Sequence, residues 1–332
     1  MAKINFQGEW LPHSPVDTVL DSLLQAGQTI PYGCRSGACQ SCLLEMAVGS
    51  PPAAAQEGLT SAQVKRQLFL SCQCYLAEDV SVSLPSEHTP NFSARVLAKQ
   101  YLNPQVIQLR LALDAPFKYD AGQYVRLSGN GVTRSYSLAS SPKQDDFLEF
   151  HIKRHPEGCF SSWVFDHLNE GDSLQVEGPK GDFILHDTVK PLLLVANSTG
   201  LAPIYGILQQ IMYQNFKQEV TLVLAVRNLN DFYLLERLCR ISESLDNLHV
   251  VGTYLEAFNG SESTVVPHKN NPERIKLHHT DVYTFIKSLR SNLSGYQVYI
   301  SGSLSLVNRL SKQCFFQGAA RASIFTDGFC AS

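Results

Sequence analysis

The sequence predicts a chain in three parts: a small mixed α/β unit, an antiparallel β-barrel and a doubly wound parallel α/β unit. Three observations carry this reading. Cysteines crowd near the start, three of them in "CRSGACQSC" at 34–42. From residue 93, short alternating segments recur between turn residues at intervals of about ten, the texture of a small barrel. From residue 191, continuous apolar runs alternate with helical patterns, which implies a parallel sheet covered on both faces. A chain of 332 residues also exceeds one typical core.

In the first part, "KINF" (3–6) reads as a strand. "DTVLDSLLQAG" (17–27) reads as an amphipathic helix with Val19, Leu20, Leu23 and Leu24 on one face and Gly27 as its stop. "VSVSLP" (80–85) alternates like an edge strand. The cysteines are spaced Cys34-x4-Cys39-x2-Cys42, then x29 to Cys72 in "LFLSCQCYL". A structural zinc site usually presents two short pairs, whereas here three ligands come from one loop and a fourth from far away. That is the plant-type spacing for a [2Fe–2S] cluster, with Cys34, Cys39, Cys42 and Cys72 as ligands and Cys74 as the competing fourth. Gly33, Ser36, Gly37, Ala38 and Ser41 are small enough to let backbone N–H groups approach such a cluster. Cys159, Cys239, Cys314 and Cys330 stand apart and read as small apolar fillers. Over its whole length the segment 1–88 resembles a plant-type ferredoxin, which implies a β-grasp fold. It holds four basic residues (Lys3, Arg35, Lys65, Arg66) against eight acidic ones, a net of −4, so the rest of the chain is +1 within a total of −3. An acidic face of this kind suits a basic protein partner.

"PSEHTPNF" (85–92) is polar and proline-bearing and reads as a linker. The barrel then follows in "SARVLAKQYLN", "QVIQLRLALD", "GQYVRLSGN", "FLEFHIKR" and "SLQVEGPKGDF". Within it, "RSYS" (134–137) stands before "GCFSSWVFDHL" (158–168), where a glycine and two serines open a helix. A helix start with small residues is an anion site, and an arginine on a nearby strand can neutralise a pyrophosphate from the other side. A tyrosine between them can cover a flat ring. In the last part, "PLLLVAN" ends in "STGLAP" and the helical "IYGILQQIMYQ". "VTLVLAV", a helix around "DFYLLERLCRIS", "LHVVGTYL", the helical "DVYTFIKSLRS" and "QVYISGS" follow, with a long polar loop at 256–275.

"RSYS", "HIKR…EGCFSSW", "VEGPKGDF", "NSTGLAP" and "VYISGS" occur in the order and spacing of the ferredoxin–NADP⁺ reductase superfamily. With its ferredoxin-like start, the chain resembles the fused reductase components of bacterial multicomponent oxygenases, and glucoseen reductase is similarly built. The resemblance implies a ferredoxin domain at 1–88, an FAD-binding barrel at 91–187 and an NAD(P)-binding domain at 188–332. It implies that Arg134 binds the flavin pyrophosphate with Ser135 beside it, that Tyr136 packs on the isoalloxazine, and that Ser137 lies near flavin N5. Ile152, Lys153 and Arg154 would line the adenosine half of FAD, and Gly158, Cys159 and Ser161 its pyrophosphate. Phe329 matches an aromatic near the flavin in some relatives. Thr199 and Gly200 would admit the pyrophosphate of NADH or NADPH, with Pro203 entering the helix and Arg227 meeting the adenosine end. Two departures stand out. Asn197 and Ser198 replace two glycines, and Ser301-Gly302-Ser303 replaces Cys-Gly-Pro, so Ser301 takes the place of a thiol beside the nicotinamide, with Gly302 next to it.

The expected activity is that of an NAD(P)H-dependent iron–sulfur flavoprotein reductase passing electrons from nucleotide to FAD to [2Fe–2S] to a one-electron protein acceptor. That acceptor would be an oxygenase component or a deoxysugar dehydratase, and a redox relay or sensor without nucleotide turnover is the reading from another class. The charge of −3 and the lack of a basic stripe argue against nucleic acid. The longest strongly apolar run, "PLLLVA", is too short for membrane insertion, and "MAKINFQGEW" reads as a mature start, so a cytoplasmic monomer is expected. The ten histidines form no HExxH or other metal-spaced set.

Overall fold

The computed structural model describes residues 2–33, 35–37, 40–59, 61–85, 90–186, 189–256 and 275–329. Cys34, Cys39, Cys330, most of the 256–275 loop and residues 86–89 of the expected linker lie outside the described residues. The chain divides into two compact units, Met1–His88 and Thr89–Ala331.

The first unit contains β1 (Ala2–Phe6), β2 (Glu9–His13), α1 (Val19–Gln25), β3 (Leu43–Val48), α2 (Ser61–Lys65), β4 (Leu68–Leu70) and β5 (Val80–Ser83). Their order in the sheet is β2-β1-β5-β3-β4, with β1 and β5 parallel and the other pairs antiparallel. Gln7 and Gly8, both at positive φ, make the two-residue turn joining β1 to β2. Thr18 accepts from the Asp21 N–H to start α1, and Gly27 at φ +79 ends it. Val19, Leu20 and Leu23 pack into the core with Ile4, Phe6, Leu44 and Phe69. This is the β-grasp arrangement. The strands β2, β3 and β4 escape the sequence reading because they are short and abut turns or the cysteine loop.

The second unit opens with β6 (Asn91–Asn103), β7 (Val106–Leu113), β8 (Tyr124–Gly129), β9 (Val132–Ser137), β10 (Leu148–Lys153), α3 (Cys159–Asp166) and β11 (Ser173–Lys180). Asn91 and Phe92, read from sequence as linker, are the first residues of β6, where they pair with Glu177 and Val176. The antiparallel order is β10-β7-β6-β11-β8-β9. Its two edges meet just beyond β9, where Ala139 N–H donates to the Glu149 carbonyl of β10 at 2.8 Å. From α3, Phe160, Val164 and Phe165 fill the barrel core with Leu109 and Phe150.

Then come β12 (Leu192–Asn197), α4 (Leu201–Tyr213), β13 (Val220–Asn228), α5 (Leu235–Ser244), β14 (Leu248–Glu256), β15 (Ile275–His279), α6 (Val282–Leu289), β16 (Gln297–Ser303), α7 (Leu304–Phe316) and β17 (Ile324–Phe329). All pairs are parallel in the order β15-β14-β13-β12-β16-β17, so the winding reverses between β12 and β16. One face is covered by α4 and α5, through Ile204, Leu208 and Leu238, and the other by α6 and α7, through Ile286 and Leu310. The first of these cores also takes in Val106, Ala139 and Phe183 of the barrel, which is why barrel and sheet form one unit. A Cβ on Gly206 of α4 would sit 2.9 Å from the Ser140 carbonyl, so the helix approaches the barrel backbone directly. The helix α5 starts four residues later than the pattern "DFYLLERLCRIS" suggests. Asn228 and Asp231 cap each other across a 3₁₀ turn at Leu229–Asp231, and Leu234 sits at φ +60. Among the described residues, no helix is long and apolar enough to cross a membrane.

Candidate functional site

The cysteine loop is held in place from two sides. Ser71, ahead of Cys72, donates both its N–H (3.1 Å) and its hydroxyl (2.7 Å) to the Cys42 carbonyl. Gln73 Nε2 donates to the Arg35 carbonyl at 3.0 Å and lies 3.6 Å from Cys72 Sγ. The loop uses positive φ at Arg35, Gly37 and Gln40. Gly37 takes φ +83, and a Cβ there would also press on Leu70 and Gln73 at 3.3 Å, so both backbone and packing favour glycine. The Val19 N–H donates to the Cys74 carbonyl, and His13 bridges Ser22 to the Leu76 carbonyl, fixing the Cys72 segment against α1. The Cys42 thiol hydrogen-bonds Cys72, and that bond together with burial pushes it far above the usual thiol range. Two buried sulfurs in mutual contact are a soft donor pair that fits iron. Cys74 is buried in the same core but differs in that burial alone pushes its thiol up to about 12. Cys34 and Cys39 lie outside the described residues.

On β9, alternation puts Arg134 and Tyr136 on one face and Ser135 and Ser137 on the other. Tyr136 packs on Phe160 of α3 with ring centroids 5.5 Å apart, and burial holds its phenol well above the ordinary value. Gly158 caps α3 without a side chain, leaving the N–H groups of the first turn for another acceptor. A Cβ there would lie 2.6 Å from Ser161 Oγ, which already braces the turn by accepting from His155 N–H and donating to the Gly158 carbonyl. Cys159 is exposed rather than a core filler, because Phe160 and Val164 take the inward face of α3. Ile152 has its side chain in the barrel core, so only its backbone can face a ligand. Lys153 Nζ reaches Ser198 Oγ at 3.3 Å, and Arg154 pairs with Asp166 at 2.7 Å across the face of Phe165.

The turn after β12 meets the end of β16 at the point where the winding reverses, the usual ligand crevice of such sheets. A Cβ on Gly200 would lie 2.2 Å from the Ser301 carbonyl, and one on Gly302 would lie 2.5 Å from Asn197 Cβ. Both glycines are therefore required by close approach of the backbones. Ser198 takes φ +53, while Asn197 stays extended and uses its amide to donate to the Ala225 carbonyl. Of the two positions where the superfamily prefers glycine, only the second demands a left-handed backbone. Thr199 lies in the 3₁₀ turn and Pro203 in the first turn of α4, where its missing N–H costs nothing.

Sequence reasoning missed Asp327. Its carboxylate accepts the Ser137 hydroxyl at 2.7 Å, joining the barrel to β17 across 190 residues. Burial lifts Asp327 to about 6, the Ser137 hydrogen bond opposing. Ser301 is its register partner on β16, so the two side chains share a face of the sheet, and Phe329 follows two residues on. Ser301 is fully buried and its Oγ has no partner among the described residues, an orphaned hydroxyl in the crevice. The only sequence signal for Asp327 was "TDGF", in which Phe329 alone had been singled out. Another polar cluster links the barrel to α5. Glu149 accepts Arg110 Nε at 2.9 Å and His151 Nε2 at 3.2 Å, with Arg237 at 3.8 Å. Burial opposes the charge of Glu149, but the His151 hydrogen bond and Arg110 outweigh it and hold the carboxyl at about 2. Burial keeps His151 neutral, so Nε2–H donates to Glu149 and Nδ1 accepts the Tyr233 hydroxyl at 3.2 Å.

Comparison with known proteins follows this geometry part by part. Residues 4–77 match the 2Fe-2S iron-sulfur cluster binding domain, 93–184 the oxidoreductase FAD-binding domain and 194–312 the oxidoreductase NAD-binding domain. Reductase component 2 of terephthalate 1,2-dioxygenase from Comamonas sp. is 32% identical over 233 residues, covering 67% of this chain and 69% of that one. A CDP-6-deoxy-L-threo-D-glycero-4-hexulose-3-dehydrase reductase from Yersinia pestis is 25% identical over 94% of this chain and 93% of its own. The crystal structure of a cytochrome P450 reductase from Amycolatopsis superposes with a TM-score of 0.67 at 26% identity, covering 99% of both chains.

Proposed function

The chain belongs to the ferredoxin–NADP⁺ reductase superfamily in its ferredoxin-fused form, and we propose that it delivers electrons from NADH to an oxygenase component docking at the Cys42–Cys72 end. It is an NAD(P)H-dependent oxidoreductase of FAD and a [2Fe–2S] cluster. Bound FAD would supply the conversion between a hydride's two electrons and the single-electron steps of the cluster, chemistry that belongs to the cofactors. What remains is done by the chain.

In this reading Cys34, Cys39, Cys42 and Cys72 hold the cluster within residues 1–88. Arg134 and the α3 start at Gly158–Ser161 hold the flavin pyrophosphate from opposite sides within 91–187, and Tyr136 covers the ring. Residues 188–332 take the nucleotide, with its pyrophosphate at Thr199–Gly200. Lys153, which closes β10 and reaches Ser198, serves both phosphate sites rather than the flavin adenosine alone. Arg154, which pairs with Asp166 of α3 through one nitrogen, lines the adenosine half of FAD with Ile152. Ser137, Ser301, Asp327 and Phe329 form the wall against which flavin and nicotinamide meet, with the Ser137 hydroxyl donating to the Asp327 carboxylate.

The observation that carries this is the convergence of Gly200, Gly302, Ser137 and Asp327 at the switch of winding. The altered "NST" and "SGS" segments keep that convergence intact, which favours turnover over a relay without it. A deoxysugar dehydratase is the alternative acceptor, since a dehydrase reductase is also among the relatives. The chain is taken to work as a monomer in the cytoplasm. The test is NADH-driven reduction of ferricyanide and of cytochrome c by wild type and Cys42→Ser. Ferricyanide reduction should persist in the variant while cytochrome c reduction falls at least about ten-fold. Equal loss of both would remove the cluster from the exit path.

A further inference from the structure

Away from Ser301, the parallel strands β13 and β14 end on the same side of the sheet as the turn after β12. Arg227 is the penultimate residue of β13, and Glu256 closes β14, in register with Asn228. Arg227 Nε donates to Glu256 Oε1 at 2.8 Å. Four residues beyond Arg227, Asp231 is fixed by the Asn228 N–H at its Oδ2 and by Asn103, which donates to its carbonyl. Asp231 lines a pocket with Ser198, Phe232, Tyr233 and the ends of β12 and β13.

In doubly wound sheets the residues closing the second strand read the 2′ position of the nucleotide ribose. A carboxylate there suits a hydroxyl, and an arginine suits a phosphate. A 2′-phosphate brings close to two negative charges and needs a guanidinium whose fork is open to it. Here the sequence supplies the arginine, but the structure commits one edge of it to a carboxylate on the next strand. Arg227 and Glu256 cancel each other's charge as a pair, and Asp231 lies in the adjoining pocket. The geometry points to Glu256 as a specificity-determining residue: by pairing with Arg227 it cancels the cation at the strand ends and disfavours a 2′-phosphate, selecting NADH over NADPH. The inference rests on the nucleotide site described above and assigns to it a residue in which the sequence showed nothing.

The Arg227 and Glu256 side chains are 76% and 50% exposed, so their pairing is screened and its effect is several-fold rather than absolute. The test uses the holoprotein, titrated calorimetrically with 5′-AMP and 2′,5′-ADP (adenosine 2′,5′-bisphosphate), which differ only in the 2′ group. Wild type should bind 5′-AMP about ten-fold more tightly than 2′,5′-ADP. Glu256→Gln should tighten 2′,5′-ADP roughly five-fold while moving 5′-AMP less than about two-fold, a change that shrinks in about 0.5 M NaCl. Tighter wild-type binding of 2′,5′-ADP, or an unchanged ratio in Glu256→Gln, overturns the assignment of Glu256 while leaving the nucleotide site standing. Failure of both compounds to bind wild type overturns the nucleotide site and this inference with it.

Discussion

The cysteine loop and the nucleotide crevice are built on opposite terms. In the loop, function lies in which side chains are present, at spacings fixed by a short stretch of backbone. In the crevice it lies largely in side chains that are missing: Gly200 and Gly302 let two turns touch, and the groups facing that junction come from β9, β16 and β17. A ligand set written as C-x4-C-x2-C survives without knowledge of the fold. A junction made by residues 190 positions apart exists only once the sheet order is known.

The sharpest way to break that comparison is at the cysteines. Cys72→Ser should abolish the visible absorbance and electron paramagnetic resonance signal of the [2Fe–2S] cluster, whereas Cys74→Ala should leave both intact. Gln73 Nε2 is directed at Cys72 Sγ and the Cys42 thiol bonds to Cys72, whereas burial alone acts on the Cys74 thiol. Loss of the signal in Cys74→Ala would show that spacing alone does not choose the ligand. The crevice should respond to an added methyl. Gly200→Ala places a Cβ against the Ser301 carbonyl and should cost about 1–3 kcal/mol of stability, measured by denaturant unfolding, together with most of the nucleotide affinity. Unchanged nucleotide binding would separate that junction from the site.

A subtler probe is Asp327. Its carboxyl titrates near 6 in the folded protein, above the unfolded value of about 3.9, so the fold favours its protonated form. That stabilisation is complete below the unfolded value and is lost as pH rises through about 6. Asp327→Asn cannot lose it, so the Tm of the variant relative to wild type should climb between about pH 4 and 6 and level off above. A pH-independent difference would mean that Asp327 is not held in this state. The smallest effect is expected at Ser198, which adopts φ +53 in place of a glycine. Ser198→Gly should stabilise by about 0.5–1 kcal/mol, read from the same unfolding curves.

The same contrast explains what was legible in the sequence. The parallel sheet was visible because "PLLLVAN" and "VTLVLAV" are buried on both faces, and α1 because Val19, Leu20 and Leu23 recur at helical spacing beside a capping Thr18. The edge strands β15 and β17 were not, because a strand with one neighbour and polar residues carries little pattern. The RSYS and NSTGLAP segments were found as motifs, yet their partners were not. Asp327 finds Ser137, and Glu256 finds Arg227, only through pairing along β17 and β14. Ser198 shows the reverse case, where a departure in sequence proves compatible with the local backbone at a modest cost.

The central claim is that one chain moves electrons from nucleotide to flavin to cluster. Anaerobic mixing of the holoprotein with NADH, followed by its visible spectrum, tests it most directly. Bleaching of the flavin band followed by that of the cluster is the expected result. A spectrum in which neither band changes would contradict it.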